Sequence, residues 1–283
     1  MARFILSAFA DEADANIGGQ IAALRRNGIH GLELRSLNGG PFVKFTVDEA
    51  KEAKRQFDDN DIKVMALGSP FGKIGAEEPF EPHMEDLKHA LELSAVMDCA
   101  RMRLFSFYIP KGKDPAEYRG VVIDRIGAML DAADAAGVKL ANENEKGLYG
   151  DITERCADLA DTFGDRLGCV FDPANYIQCG VNPAKALDVL MPRLTWMHIK
   201  DAKAADGQIT PAGKGDGDVA GLIKRINAAC PGDFVLSVEP HLALFSGYNS
   251  LERDAIKLEF MYNNNHEAFD AACGALKGIL AAM

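Results

Sequence analysis

The feature that most constrains the fold is a repeated alternation of short apolar runs with longer segments of helical spacing. Runs that are short and mostly apolar are typical of strands covered on both faces, as in a parallel sheet. The sequence therefore predicts eight buried strands, at residues 3–9, 30–36, 62–68, 101–108, 138–143, 167–172, 194–200 and 233–239.

Between these runs, apolar residues recur every three or four positions, which is the spacing of an amphipathic helix. Residues 15–27, for example, place Ile17, Ile21 and Leu24 on one face, and Gly28 supplies a stop signal. We expect helices at residues 15–27, 46–59, 83–98, 116–136, 152–164, 183–191, 217–229 and 250–280.

Eight strand–helix units predict a single (β/α)8 TIM barrel, an α/β fold that spans residues 1–283 as one domain. A doubly wound open sheet is the alternative. It is weaker because no GxGxxG motif follows the first predicted strand. No linker or low-complexity stretch indicates a second domain.

Composition limits the partners of the chain. Its formal net charge of −11 argues against a nucleic-acid groove, which requires clustered Lys and Arg, and suits a small-molecule enzyme. The six cysteines form no CxxC pair and are expected to be reduced. The apolar start is too short for a signal peptide, and no run reaches the ~20 residues of a membrane helix. We expect a cytoplasmic protein.

Polar residues fall at or near the ends of the last four predicted strands. Glu143, Asp172, His198 and Glu239 each follow a run of apolar residues on consecutive strands. In a barrel, functional side chains lie at the C-terminal ends of strands, and neighbouring strands are under ~5 Å apart. These four side chains are therefore expected to converge above the barrel.

Three converging carboxylates repel one another, and their desolvation is costly without a cation. A divalent metal resolves this conflict. Three oxygen donors and one imidazole suit Mn²⁺, Mg²⁺, Co²⁺ or Zn²⁺, with open positions left for substrate oxygens. The other interpretation is that the four residues are separate helix caps and salt-bridge partners.

Several motifs resemble the xylose isomerase-like barrel superfamily, and within it the sugar phosphate isomerases and epimerases. The order of the four candidate ligands is similar to that of ketose 3-epimerases. The resemblance covers nearly the whole chain and is carried by SAFADE (7–12), GLELR (31–35), GSPFGKI (68–74), LFSFY (104–108), ANENEKGLYGD (141–151), FDPANYIQCG (171–180), WMHIKDA (196–202), GKGDGDV (213–219) and SVEPHL (237–242).

The resemblance implies that Glu143, Asp172, His198 and Glu239 bind one divalent metal. It also implies that Glu143 and Glu239 form an acid–base pair on either side of the substrate. One carboxylate would remove the proton next to a carbonyl, and the other would return it. Return on the opposite face gives epimerisation, whereas delivery to the neighbouring carbon gives isomerisation.

Candidate substrate-binding residues are Lys73, Arg103, Asn175, Lys200 and His241. Many sugar epimerases have His at the position of Asn175, and an Arg soon after the metal-binding His, where this chain offers lysines such as Lys200. These departures leave the substrate open. Of three further positions, Glu12 and Glu33 are interpreted as barrel-layer residues or substrate contacts, and Trp196 as helix-facing packing.

The leading hypothesis is a metal-dependent isomerase or epimerase acting on a small sugar, sugar phosphate or keto-polyol. The second is a dehydratase or lyase on the same scaffold, of the inosose or dehydroshikimate type, because both reactions begin with removal of the same proton. An apurinic endonuclease would need more histidine ligands and a basic face, and a non-catalytic barrel would bind no metal. Dimers and tetramers are common among the proteins that the chain resembles, so the resemblance is compatible with a homo-oligomer.

Overall fold

The computed structural model describes residues 1–244 and 259–283. Its centre is a closed barrel of eight parallel strands, in which each strand pairs with its neighbours in chain order. The last strand pairs with the first over its whole length. The predicted TIM barrel is confirmed. The strands are β1 (Ala2–Ala8), β2 (Gly31–Leu34), β3 (Lys63–Leu67), β4 (Arg101–Leu104), β5 (Lys139–Glu143), β6 (Leu167–Phe171), β7 (Leu194–Ile199) and β8 (Gly232–Val238).

Helices surround this barrel. They are α1 (Ile17–Arg26), α2 (Val47–Asp58), α3 (Glu81–Val96), α4 (Pro115–Ala135), α5 (Thr153–Phe163), α6 (Pro173–Gln178), α7 (Pro183–Leu190), α8 (Val219–Ala229) and α9 (Asn265–Ala281). The short α6 was not predicted, because six residues are too few to show a helical period. No helix in the described ranges is long and apolar enough to cross a membrane.

Two predicted elements end or begin elsewhere. The fourth strand was expected to reach residue 108 but ends at Leu104, where its pairing with β5 also ends, opposite Asn142. The chain then pairs with the loop after β3: the amide of Phe107, which has φ of 66°, donates to the carbonyl of Gly72. Residues 250–258 of the last predicted helix, 250–280, lie outside the described residues. In the described part, residues 259–264 are not helical and α9 begins at Asn265, where the Asn264 side chain accepts the Glu267 amide.

The barrel wall separates two apolar layers. The larger layer lies between strands and helices and includes Leu24, Leu87, Ile126 and Leu276. A smaller cluster draws on six of the eight strands, and side chains from so many strands can meet only inside the barrel. Its members are Ile5, Met65, Ala66, Ala141, Val170, Trp196 and Val235.

The orientation predicted for Trp196 is wrong. Trp196 belongs to the inner cluster, whereas Met197 packs in the outer layer. The reason is the strand period of two: Trp196 and His198 share a face of β7, so a histidine aimed at the barrel interior requires the same of the indole. Trp196 thus forms the apolar floor beneath the polar end of the barrel.

Candidate metal centre and active-site pocket

The four predicted ligands converge at the C-terminal end of the barrel. Glu143 ends β5, Asp172 directly follows β6, His198 lies in β7 and Glu239 directly follows β8. One ligand atom from each lies within 4.8 Å of those of the other three. All four are buried, with at most 3% of their surface exposed. Consecutive parallel strands thus bring residues far apart in sequence to one point.

The imidazole of His198 lies at the centre of the cluster. Its Nδ1 is 3.1 Å from Glu143 Oε1, 3.7 Å from Glu239 Oε2 and 3.9 Å from Asp172 Oδ2. Among the described residues, Asp172 Oδ2 has no well-formed hydrogen bond, although Lys200 Nζ lies 3.0 Å away. A buried carboxylate oxygen that lacks a well-formed hydrogen bond, and that lies beside three further ligand atoms, fits a divalent ion. This cluster could hold a metal.

Two buried cations from the chain itself also compensate the carboxylates. Arg103 Nη1 lies 3.0 Å from Glu143 Oε2, and its other nitrogens donate to the carbonyls of Gly68 and Ser69. Lys200 Nζ lies 2.7 Å from Glu239 Oε2. Repulsion among the carboxylates therefore does not by itself demand a metal. Arg103 and Lys200 were both predicted to bind substrate, and the structure brings them to the cluster.

The protonation of the cluster follows from these charges. Burial would raise the pKa of Glu143, but positive charge on His198 and Arg103 outweighs it and holds that pKa at about 2. The pKa of Glu239 is likewise held well below its ordinary value, against the effect of burial, by the Lys200 ammonium and by His241 and His198.

Asp172 and His198 shift in the opposite direction. Burial raises the pKa of Asp172 to about 6, with the negative charges of Glu143 and Glu239 adding to it against the ammonium of Lys200. For His198, burial acts to lower the pKa, but neighbouring carboxylates raise it well above 6.5. The acidic ligands thus differ in proton affinity although they lie within one cluster.

Asn175 links two of the ligands. It sits in the first turn of α6, where its backbone amide donates to Asp172 Oδ1 at 2.9 Å. Its side-chain Nδ2 donates to Glu143 Oε1 at 3.2 Å and to the carbonyl of Asn144 at 2.9 Å. Asn175 therefore orients both carboxylates while it lines the pocket above them.

A pocket of about 400 Å³ opens above the cluster. All five predicted substrate-binding residues line it, together with Glu143, Glu239 and the unpredicted Arg35, Phe105 and Gln178. Lys73 lies over the ring of Phe105, 4.2 Å from its centroid, and forms an ion pair of 2.7 Å with Glu145. A volume of this size suits a small ligand.

Arg35 is the most heavily bonded residue that sequence reasoning missed. Its guanidinium contacts Asp11 at 2.8 Å, Glu12 at 3.1 Å and Glu239 at 3.4 Å. Arg35 follows Glu33 by two residues, and a strand period of two places both on the interior face. That pattern was a usable signal. His241 adds to this group, with Nε2 3.1 Å from Glu12 Oε1.

The glycine-rich motif after β7 is organised by a buried carboxylate. Asp201 Oδ1 accepts the amides of Ala202 and Gly217, and Oδ2 accepts those of Gly213 and Gly215. A Cβ on Gly215 would come within 2.5 Å of the Ala202 carbonyl and of Asp201 Oδ1. Glycine is therefore required at this close approach, and Asp201 fixes the glycine-rich loop.

Comparison with known proteins agrees with this geometry. A family model described as a xylose isomerase-like TIM barrel matches residues 21–252, which confirms the resemblance seen in the sequence. No curated protein matches the chain.

Solved structures that are similar to this chain share its fold at low identity. The IOLI protein with a bound zinc atom is 18% identical, with a TM-score of 0.76 over 98% of both chains. The probable 3-DHS dehydratase AsbF of Bacillus anthracis is 14% identical, with a TM-score of 0.72 over 98% of this chain and 99% of its own. An L-ribulose 3-epimerase is 16% identical, with a TM-score of 0.73 over 100% and 95%.

Proposed function

The chain belongs to the xylose isomerase-like TIM barrel family, and from this premise we propose that it is a divalent-metal-dependent isomerase or epimerase of a small sugar, sugar phosphate or keto-polyol. One observation carries the proposal. Four buried ligand atoms lie within 4.8 Å of one another beneath a pocket of about 400 Å³, and two of their carboxylates line that pocket.

The proposed ligands are Glu143, Asp172, His198 and Glu239. A divalent ion held there would stabilise the negative charge that develops on the substrate's carbonyl oxygen. Arg103 and Lys200 add fixed positive charge on either side of the cluster. Because the site is buried, these charges act with little screening by water.

Glu143 and Glu239 are the proposed acid–base pair. They approach from β5 and β8, with β6 and β7 between them, so they reach the pocket from different directions. Their lowered pKa values keep both ionised at neutral pH, so that either can take the proton next to a carbonyl. The carboxyl group that took the proton can return it to the neighbouring carbon, which gives isomerisation. Return on the opposite face, which gives epimerisation, requires the other carboxylate first to take up a proton from the solvent or from a substrate hydroxyl.

The substrate contacts proposed for the pocket come from Lys73, Asn175, Lys200 and His241, with Arg103 beneath them. Lys73 at the rim can meet a hydroxyl or an acidic group. One similar structure is described as an L-ribulose 3-epimerase and another as a D-tagatose 3-epimerase-like protein, which supports a carbohydrate-like ligand for this pocket.

A dehydratase is the second candidate, supported by His241. This imidazole lines the pocket 3.7 Å from Glu239 Oε1, and although burial acts to lower its pKa, Glu239 and Glu12 raise it. A protonated imidazole there can donate to a leaving hydroxyl after the same first proton abstraction. Separation of products by chromatography distinguishes a dehydrated product from an epimer.

The first test is metal content. Protein purified without chelator should contain about one divalent ion per chain, and His198→Ala should bind it more weakly while retaining its fold. Elemental analysis and calorimetric titration with Zn²⁺ and Mn²⁺ measure both. A wild-type protein that binds neither ion would refute the proposal.

The second test follows the proton. Incubation with a panel of ketoses and keto-inositols in D₂O should place deuterium on the carbon next to the carbonyl of a true substrate. Glu143→Gln and Glu239→Gln should each lower turnover by about 10²–10⁴-fold, whereas Glu154→Gln, exposed on α5, should not. Near-normal turnover in both site variants would exclude the acid–base assignment.

A further inference from the structure

Glu33 is a buried carboxylate with no role in the proposed reaction so far. It lies in β2 with 1% of its surface exposed. Both of its oxygens approach one atom, His198 Nε2, at 3.1 and 3.2 Å. Since β8 and β1 stand between β7 and β2, this contact crosses the barrel interior.

The two nitrogens of His198 therefore face different surroundings. Nδ1 faces the three carboxylates of the candidate metal centre, and Nε2 faces Glu33 alone among the carboxylates of the described chain. Metal binding to His198 would displace one of its two protons, and the neutral imidazole then carries the remaining proton on one nitrogen and a lone pair on the other. The partner of the distal nitrogen thus decides which nitrogen can bind a metal.

We propose that Glu33 is the positioning residue of the metal centre: it accepts a hydrogen bond from the Nε2–H group of His198 and so leaves the Nδ1 lone pair facing the metal. This inference rests on the proposed function, because it assumes that the cluster binds a divalent ion. A carboxylate behind a ligating histidine fixes its ring orientation and increases its basicity as a ligand.

Trp196 offers the competing arrangement. Its indole Nε1 lies 3.4 Å from the same His198 Nε2, and an indole nitrogen can only donate. If that bond formed, Nε2 would carry the lone pair and the proton would sit on Nδ1, facing the ligand carboxylates. The two oxygens of Glu33 are closer than the indole, and they bear the charge that favours a donor on Nε2.

Zinc affinity of the whole protein separates these arrangements. Glu33→Ala should weaken Zn²⁺ binding by about 10–100-fold, the usual effect of losing such a partner. Glu33→Gln should lose less Zn²⁺ affinity, because its amide oxygen still accepts a hydrogen bond from Nε2 although it carries no charge. Trp196→Phe should bind Zn²⁺ as the wild type does.

Ser7→Ala serves as the control for disturbance of the barrel interior. Ser7 is fully buried on the neighbouring β1, and its hydroxyl has no hydrogen-bond partner in the described part of the chain. Its removal should leave zinc affinity unchanged. If Glu33→Ala does not fold, Glu33→Gln and Trp196→Phe still decide between the two partners.

A spectroscopic measurement addresses the ring directly. In zinc-loaded protein labelled with ¹⁵N, the His198 resonances, assigned by their loss in His198→Gln, should show a protonated Nε2 and a metal-bound Nδ1. A metal-bound Nε2 would overturn the assignment.

The outcomes distinguish this inference from the function on which it rests. Wild-type protein that binds no Zn²⁺ refutes the metal centre and the role of Glu33 together. Wild-type protein that binds Zn²⁺, with both Glu33 variants within twofold of it, refutes Glu33 alone. Weaker binding in Trp196→Phe but not in the Glu33 variants assigns the positioning role to the indole.

Discussion

Replacement of Arg103 by methionine tests whether the chain's own cations stabilise the carboxylate cluster. The Arg103 side chain is 6% exposed and bonds to Glu143 and to two backbone carbonyls. Loss of one partner from a buried ion pair costs about 3–5 kcal/mol, because the other charge stays buried without compensation. Methionine matches the aliphatic part of the arginine side chain, so the loss reports on the guanidinium group, its charge and its hydrogen bonds.

For a chain of 283 residues, an unfolding entropy of roughly 2.1 cal/mol/K per residue gives about 0.6 kcal/mol per kelvin. Arg103→Met should therefore lower the melting temperature of metal-free protein by about 5–8 °C. Differential scanning calorimetry measures this shift. Saturating Zn²⁺ should narrow the difference, because a divalent ion then supplies the missing positive charge.

Arg166→Met is the matched control. Arg166 pairs with Asp131 and Asp134 at the surface, where its side chain is 43% exposed. Exposed pairs contribute about 0–1 kcal/mol, so its melting temperature should fall by no more than about 2 °C. A shift for Arg103→Met no larger than this control would refute the view that Arg103 compensates buried charge.

Two further predictions concern the glycine-rich loop after β7 and the loop after β3. Gly215→Ala should destabilise the protein by about 1–3 kcal/mol in urea unfolding, because its Cβ would meet the Ala202 carbonyl. Gly274→Ala is the control. Gly274 lies in α9, and a Cβ there would meet no described neighbour within 4 Å, so this change should stabilise the protein by up to about 1 kcal/mol. His83 Nε2 accepts the Gly72 amide at 2.7 Å, and burial lowers its pKa below 6.5. As the pH falls, His83 is therefore protonated in the unfolded chain before it is protonated in the folded protein. The stability present above pH 6.5 should be lost as the pH falls through the folded pKa of His83. In His83→Gln, the free energy of unfolding should fall less steeply over this pH range.

The candidate ligands could be predicted from sequence because a barrel converts position along a strand into position in space. Glu143, Asp172 and Glu239 each end or follow an apolar run, and His198 stands near the end of another. Once eight such runs are recognised, their ends must lie on one rim. No knowledge of side-chain contacts was needed for that step.

Pairing within the cluster could not be predicted in the same way. The sequence predicted that Arg103 lies near the site, but it did not predict the ion pair between Arg103 and Glu143. For Glu33 it left two interpretations open, a barrel-layer residue and a substrate contact. Such contacts cross the barrel and depend on the rotation of each strand, which apolar runs buried on both faces do not reveal. The helix predicted over residues 250–280 is wrong, within the described residues, at 259–264, because the Asn264 side chain caps a helix that begins at Asn265.

The error at Trp196 shows which rule recovers part of this information. One residue of known direction fixes every second residue of its strand, so His198 assigns Trp196 below it and Lys200 above it to the interior. The same step on β2 carries the interior face from Glu33 to Arg35. Along β7 the interior thus passes from an apolar floor through a histidine to an ammonium at the pocket.

The same change from apolar to charged interior residues occurs along other strands, and it affects the electrostatics of the site. On β5 the interior passes from Ala141 to Glu143, and on β8 from Val235 to Glu239. The apolar floor keeps water from the cluster from below, which strengthens every charge interaction above it. The same exclusion makes an unpaired charge costly there. A barrel that places carboxylates over such a floor must therefore supply cations for them, and here Arg103 and Lys200 come from the chain itself.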